Sequence, residues 1–207
     1  MERMATLLQF SPGETISDWD DPGEHWYRLV CGAARKCALM SDGRRQIVEF
    51  LLPGDLFGFG GVCEPRFVTE AIAVGTLIAR YPRNRAERLA DTDPAVGRQI
   101  REMAFAAIGR LQERVLILGR TTARAKVGAF LLEMARRSSD APSEPVVLPM
   151  SRYDIADYLA LAVETVSRVL TDLKGRGAIT LRGARQVWIV DRTALEEDEV
   201  LAAAASA

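Results

Sequence analysis

The chain has 207 residues, a formal net charge of −1 at pH 7 and a hydrophobic content of 48%. This length suits one large or two small domains, and the balanced charge indicates neither an acidic nor a basic partner. No apolar stretch approaches the roughly 20 residues that a membrane-spanning helix needs, and MERMATLLQF lacks a signal-peptide pattern, so we expect a cytoplasmic protein without a membrane partner.

The first 82 residues read as short strands separated by turns. Residues 24–60 alternate apolar and polar side chains and break at Gly32, Asp42-Gly43 and Pro53-Gly54. Asp-Gly between two alternating runs predicts a hairpin, because glycine accepts the positive φ of the primed turns. This half of the chain is therefore predicted to be an all-β roll or barrel.

The chemistry-bearing residues of this half argue against an enzyme. The three cysteines, Cys31, Cys37 and Cys63, are odd in number and lack C-x-x-C spacing, which argues against a disulfide framework and a zinc finger. The single histidine, His25, is too few for the histidine cluster of a cupin-type metal centre. The sequence also contains no Gly-x-Ser-x-Gly elbow and no Walker lysine. We predict neither catalysis nor a bound metal.

A long helix is predicted from Asp93, a suitable N-cap followed by Pro94, to about Gly119. Its apolar residues recur at steps of four and three, the spacing of a two-helix seam. These predicted dimer-interface residues are Ala104, Ile108, Leu111, Val115 and Leu118. The alternative is a helix that packs on its own domain. A further helix is predicted over residues 122–137.

A helix-turn-helix follows. Ser151 and Asp154 have the spacing of a capping box, which predicts a helix beginning at Arg152. A break at residues 160–162 precedes a second helix, and the small Ala156 allows the two helices to cross closely. The apolar positions predicted to face inward are Ile155, Ala156 and Leu159 on the first helix and Val163, Val166, Val169, Leu170 and Leu173 on the second.

The outward face of the second helix then carries Glu164, Thr165, Ser167 and Arg168. Arginine can bond two acceptors of guanine, glutamate can accept from the cytosine amino group, and serine or threonine can contact several bases. The alternative is ordinary solvated surface, in which Glu164 and Arg168 form a helix-stabilising pair at i, i+4.

A wing is predicted after this helix. Two short β runs, 179–181 and 186–190, flank a turn at Gly183, and the region is locally basic although the chain is not. Such a patch can follow DNA phosphates. The predicted backbone contacts are Thr165, Ser151, Arg152, Lys174, Arg182 and Arg185. A rival interpretation is a C-terminal domain that docks protein and not DNA.

These segments together resemble the Crp–Fnr family of bacterial transcription regulators. VCGAARKCALMSDGRRQIVEFLLPGDLFGF resembles the β-roll, MSRYDIADYLALAVETVSRVLTDLKGRGAI resembles the DNA-binding motif, and VETVSR is most similar to the FNR and FixK branches. The resemblance implies an α+β chain. Its expected parts are an N-terminal β-roll of the jelly-roll, cyclic-nucleotide-binding-domain-like type (1–92), a dimerisation helix (93–119), a C-terminal winged helix-turn-helix (120–195) and an acidic, alanine-rich tail (196–207).

The resemblance also implies how the protein works. It implies a homodimer on a palindromic DNA site with TTGA-type half-sites, Glu164, Ser167 and Arg168 as base contacts, and RNA polymerase as a partner. Two-fold symmetry would place the half-site centres about 34 Å apart. In the turn, Ala160 stands where the family often has glycine, and Ala162 where it usually has a Ser or Thr cap.

The effector site departs from the family pattern. Phe59 stands about where the acidic residue on a cyclic-nucleotide ribose is expected, and Arg66 is followed by Phe67 in place of Ser or Thr. The FNR branch holds an iron–sulfur cluster with four cysteines, and this chain has three, none before Cys31. We therefore predict no cofactor. The alternative is a regulator of the same family gated by a cyclic nucleotide or by thiol oxidation.

Overall fold

The computed structural model describes residues 4–18, 23–40, 43–59, 67–138, 144–183 and 185–196. They divide into two compact units, Met1–Gln112 and Glu113–Ala207. The predicted α+β composition is confirmed, with strands concentrated in the first unit and helices in the second. Within the described ranges, no helix is long and apolar enough to cross a membrane. Asp42 and the tail from residue 197 onward lie outside the described residues.

The N-terminal unit is a β-roll of two four-stranded antiparallel sheets. The strand orders are β1-β8-β3-β6 and β2-β7-β4-β5. The bounds of these strands are β1 Thr6–Phe10, β2 Thr15–Ser17, β3 His25–Cys31, β4 Ala34–Leu39, β5 Arg45–Leu51, β6 Leu56–Phe57, β7 Phe67–Ala71 and β8 Thr76–Pro82. The predicted hairpin joins β4 to β5, and Gly43 in its turn has a φ of +82°. The period-2 pattern therefore predicted this unit correctly.

Alternating residues of both sheets fill the core of the β-roll. Leu29, Leu51, Ala71 and Ile78 are fully buried there. A second cluster contains Trp26, Ala79, Tyr81 and Ala86. Ala86 belongs to a helix that the sequence analysis did not predict, α1 (Arg83–Thr92).

The long helix α2 (Pro94–Leu118) begins and ends where the sequence predicts. Asp93 Oδ1 accepts the backbone N–H of Ala95 at 2.9 Å, and Pro94 occupies the first helical position. Within the N-terminal unit, Arg110 of α2 binds Glu49 Oε1 at 3.0 Å and Asp55 Oδ1 at 3.1 Å. These three side chains are largely buried, so the ion pairs hold this part of α2 against the β-roll.

The C-terminal unit is a winged helix-turn-helix. Its elements are α3 Ala123–Ser138, β9 Val146–Val147, α4 Arg152–Leu159, α5 Val163–Gly175, β10 Ile179–Arg182, β11 Gln186–Ile189 and α6 Thr193–Glu196. The predicted wing strands are β10 and β11, and β9 adds a third strand that was not predicted from the sequence. The capping box at Ser151 is present, with Asp154 N–H donating to Ser151 Oγ at 3.1 Å.

Glu133 of α3 is a buried carboxylate in this unit. It is 2% exposed and pairs with Arg137 at 3.1 Å. Burial raises the pKa of Glu133 above its ordinary value, although the nearby Arg137 lowers it in part. The ion pair with Arg137, and not hydration, therefore stabilises this carboxylate in the core.

The turn between α4 and α5 contains the two alanines that stand in place of the family's usual glycine and Ser or Thr cap. Ala160 ends α4 with φ 52° and ψ 50°, and Leu161 N–H donates to Ala156 O at 2.9 Å, which is the Schellman arrangement. Among the described non-glycine residues, Ala160 alone has a positive φ. Ala162, the N-cap of α5, makes no side-chain cap hydrogen bond. Each position therefore lacks the residue type that would stabilise it best.

Replacing Ala160 with glycine should stabilise the C-terminal unit by about 1 kcal/mol, because glycine adopts the left-handed conformation without the Cβ clash. Urea denaturation followed by circular dichroism measures the change. Ala135→Gly, in the helical interior of α3, is the matched control and should destabilise by about 1 kcal/mol. If Ala160→Gly lowered the free energy of unfolding as much as Ala135→Gly does, strain at Ala160 would be contradicted.

Candidate nucleic-acid interface

Helix α5 is amphipathic, and its buried side fixes which residues face outward. Val166, Leu170 and Leu173 are buried, while Val163 and Val169, which were also predicted to face inward, are half-buried. Because residues three and four positions apart share a helix face, burial of this stripe turns the opposite side to solvent.

The outward side carries the predicted base-reading residues. Glu164 and Arg168 are exposed, and Thr165 and Ser167 are partly exposed. Arg168 Nη2 donates to Thr165 Oγ1 at 3.3 Å. In the part of the chain that the structure describes, Glu164 and Arg168 form no ion pair, so the helix-stabilising pair considered from the sequence is not observed. Both charged groups are available to a ligand.

This surface has the chemistry of a major-groove reader. Glu164, Ser167 and Arg168 lie at i, i+3 and i+4, within one turn of the same helix. They offer one acceptor group, one hydroxyl and one planar donor, which together can distinguish base pairs by their major-groove edges. The first turn of α5 contains Glu164 and the last turn contains Lys174. This order agrees with the helix dipole.

The start of α4 places a second group of residues on the surface. The Ser151 hydroxyl donates to Asp154 Oδ2 at 2.7 Å, so it is engaged in the capping box while remaining exposed. Arg152 is half-buried, and its Nη1 has no hydrogen-bond partner among the described residues. Tyr153 is 74% exposed. Tyr153, the second residue of α4, was not singled out from the sequence.

The basic residues differ in how firmly other side chains hold them. Arg176 and Arg124 both bind Asp172, at 3.1 and 3.2 Å. Lys174 and Arg185 are exposed and make no ion pair within the described residues. Arg182 lies 5.4 Å from the centre of the Trp188 ring, which supports its guanidinium on the wing. Lys174 and Arg185, which make no ion pair within the described residues, are thus among the residues predicted to contact phosphates.

The predicted seam on α2 is largely uncovered in the single chain. Ile108, Leu111 and Val115 are exposed, whereas Ala104 and Leu118 are half-buried. Phe105 and Leu116 were not predicted, and both are exposed on the same helix. Several large apolar side chains on one exposed helix indicate a surface that another protein covers.

The β-roll positions expected to hold an effector carry other contacts. The Phe59 ring is half-buried and lies 5.6 Å from the Trp26 ring, packed against the second core cluster. A Cβ added at Gly58 would lie 2.8 Å from Tyr27 Cδ2, so this glycine permits close packing. Cys37 is buried, as expected for a strand cysteine, but Cys31 at the end of β3 is exposed. Cys63, Gly60, Gly61 and Arg66 lie outside the described residues.

Comparisons with known proteins agree with this architecture. The family model for the cyclic nucleotide-binding domain matches residues 7–93, and that for the Crp-like helix-turn-helix domain matches residues 125–198. The solved structure of FixK2 from Bradyrhizobium japonicum is 41% identical, with a TM-score of 0.82 over 93% of this chain and 96% of that one. The relationship therefore extends over both units.

Curated relatives point to the same branch. The nitrogen fixation regulation protein FixK of Azorhizobium caulinodans is 43% identical, covering 93% of this chain and 78% of the relative. FixK of Rhizobium meliloti is 40% identical, covering 91% and 85%. On this evidence the chain belongs to the Crp–Fnr family and is a FixK-like transcription regulator with a helix-turn-helix DNA-binding domain.

Proposed function

We propose that the protein acts as a homodimer on an inverted repeat of TTGA-type half-sites, with Glu164, Ser167 and Arg168 on the base edges. The observation that carries this proposal is the outward face of α5, where the glutamate and the arginine are exposed without pairing to each other. A solvated surface would gain from an i, i+4 pair there. A base-reading surface needs both groups unpaired before DNA binds.

Phosphate contacts position the helix in the groove. The residues assigned to them are Ser151, Arg152, Thr165, Lys174, Arg182 and Arg185. They lie at the start of α4, on α5 and on the wing. Such contacts fix register and supply salt-dependent affinity without reading sequence.

Dimerisation takes place along residues 93–119, between the β-roll (1–92) and the DNA-binding domain (120–195). The exposed Ile108, Leu111 and Val115 support this assignment, with Ala104 and Leu118 completing the seam. Two-fold symmetry then places the two α5 helices in successive major grooves, with half-site centres about 34 Å apart. Bound to DNA in the cytoplasm, the dimer acts on RNA polymerase, the partner that the family resemblance implies.

The β-roll acts without a bound cyclic nucleotide or iron–sulfur cluster. In place of an acidic group stands Phe59, whose half-buried ring packs on Trp26 and offers no acceptor to a ribose hydroxyl. The rival within the family is a regulator gated by thiol oxidation or a nucleotide, and the exposed Cys31 is the observation that favours the thiol version.

The first measurement is the fluorescence anisotropy of a duplex carrying inverted TTGA-type half-sites, titrated with reduced protein and no added ligand at several salt concentrations. We expect selective binding over a scrambled duplex, and affinity that falls with salt because phosphate contacts release counterions. A protein-docking module would show no such salt slope. Selectivity that requires an oxidant or a cyclic nucleotide would support the gated rival.

Arg168→Ala should weaken binding to the cognate duplex by about 1–3 kcal/mol and change binding to the scrambled duplex little, because a base contact is lost and phosphate contacts remain. Anisotropy titrations of both duplexes give the two affinities. Arg176→Ala, at the C-cap of the same helix but paired with Asp172, is the matched control. Equal losses on both duplexes would remove Arg168 from base reading.

Leu111→Arg should convert the dimer to a monomer, because the seam would bury an unpaired charge. Sedimentation velocity measures the oligomeric state. Ala106→Arg introduces the same charge at an exposed position on the opposite side of α2 and should leave the dimer intact. A dimer that survives Leu111→Arg would place the interface elsewhere.

A further inference from the structure

The last turns of α2, from Glu113 onward, belong to the C-terminal unit. Two consecutive residues there contact two different helices of that unit. Glu113 accepts hydrogen bonds from Arg136 of α3. Arg114, the next residue, contacts Tyr158 of α4. Two successive side chains point in directions about 100° apart around a helix, so this end of α2 is attached to two different helices.

The contact between Arg114 and Tyr158 has two parts. Arg114 Nη2 donates to the main-chain carbonyl of Tyr158 at 3.4 Å, and Arg114 Cζ lies 4.8 Å from the centre of the Tyr158 ring. A planar guanidinium over a ring restricts rotation as well as distance, which an ammonium group does not. The contact therefore defines the angle between the last turns of α2, from Glu113 onward, and α4.

Tyr158 is held from its other sides, so it cannot adapt to a shift of Arg114. It is 3% exposed, and its ring lies 5.8 Å from that of Phe130. Its hydroxyl donates to Glu133 Oε2 at 3.5 Å, and Glu133 is itself paired with Arg137. A buried and well-packed side chain transmits position because the surrounding core resists deformation.

From this geometry we propose that Arg114 is a positioning residue that sets the spacing between half-sites. It fixes α4 against the end of α2, and the Schellman turn at Ala160 connects α4 to α5. The inference rests on the proposed dimer: if two chains join through Val115 and Leu118, the angle between this last part of α2 and α4 determines where each recognition helix meets the DNA. Val115 and Leu118 of the seam lie within one turn of Arg114.

A purely structural role would make a different prediction. Loss of packing at Tyr158 would lower stability and weaken binding to every duplex alike. Loss of an angular constraint would instead allow the two recognition helices to meet half-sites at other separations. One added base pair moves a half-site by about 3.4 Å along the axis and turns it by about 35°. Spacing selectivity is therefore the readout that separates the two roles.

The test measures the affinity of the full-length protein for a series of inverted TTGA-type repeats whose spacers differ by one base pair, in both directions from the preferred length. We expect Arg114→Met to reduce the ratio between the preferred and adjacent spacings by about fivefold. Binding to a scrambled duplex should be unchanged. Arg101→Met, at an exposed position of α2, is the control and should retain wild-type selectivity.

The outcomes distinguish this inference from the proposed function. Wild-type protein without a preference for any inverted repeat would overturn the proposed function. Wild-type selectivity retained in a folded, dimeric Arg114→Met variant would overturn the role of Arg114. If circular dichroism and sedimentation show that Arg114→Met does not form a folded dimer, the spacing selectivity of Arg114→Lys is the deciding measurement. It keeps the charge without the planar stack, so reduced selectivity would support the inference and unchanged selectivity would overturn it.

Discussion

The burial of Val166, Leu170 and Leu173 on one side of α5 is the constraint on which the DNA-binding surface depends. Each such side chain contributes about 1.5–3 kcal/mol when it leaves water. Together they outweigh any preference of the polar residues for another orientation, so the helix has one stable rotation about its axis. Glu164 and Arg168 then face solvent as a consequence of packing, before any DNA is present.

The turn that precedes α5 is less well optimised than this packed face. Ala160 occupies a left-handed conformation at a cost of about 1–2 kcal/mol, and Ala162 gives α5 no side-chain cap, which costs about another 1 kcal/mol. The capping box at Ser151 and the Schellman bond at Leu161 hold α4 at both ends. The strain is therefore concentrated between two well-defined helices, at the point where the reading helix begins.

In each unit, an arginine of α2 contacts a neighbouring element. In the β-roll, the largely buried Arg110 binds Glu49 and Asp55. In the DNA-binding unit, Arg114 stacks on Tyr158. Within its own unit, each arginine holds a neighbouring element against its part of α2. Phe59, packed on Trp26, is consistent with a β-roll whose interior contacts are protein side chains.

Local sequence signals determined much of this protein. Period-2 alternation predicted the β-roll, and Asp93-Pro94 and the Ser151 capping box predicted the starts of α2 and α4. The i, i+3, i+4 spacing predicted which polar residues of α5 face outward. These features were predictable because each depends on residues a few positions apart, whose geometry the backbone period fixes.

Tertiary structure decided the features that join distant segments. Strand β9 exists because Val146 and Val147 pair with β11 about 40 residues later, and two residues carry too little pattern to predict a strand. The exposure of Cys31, the packing of Phe59 against Trp26 and the contact of Arg114 with Tyr158 likewise depend on which surfaces meet. The sequence by itself determined most of the elements and the outward face of α5. Only packing between elements decided how that face is held, since long-range contacts leave no period in the chain.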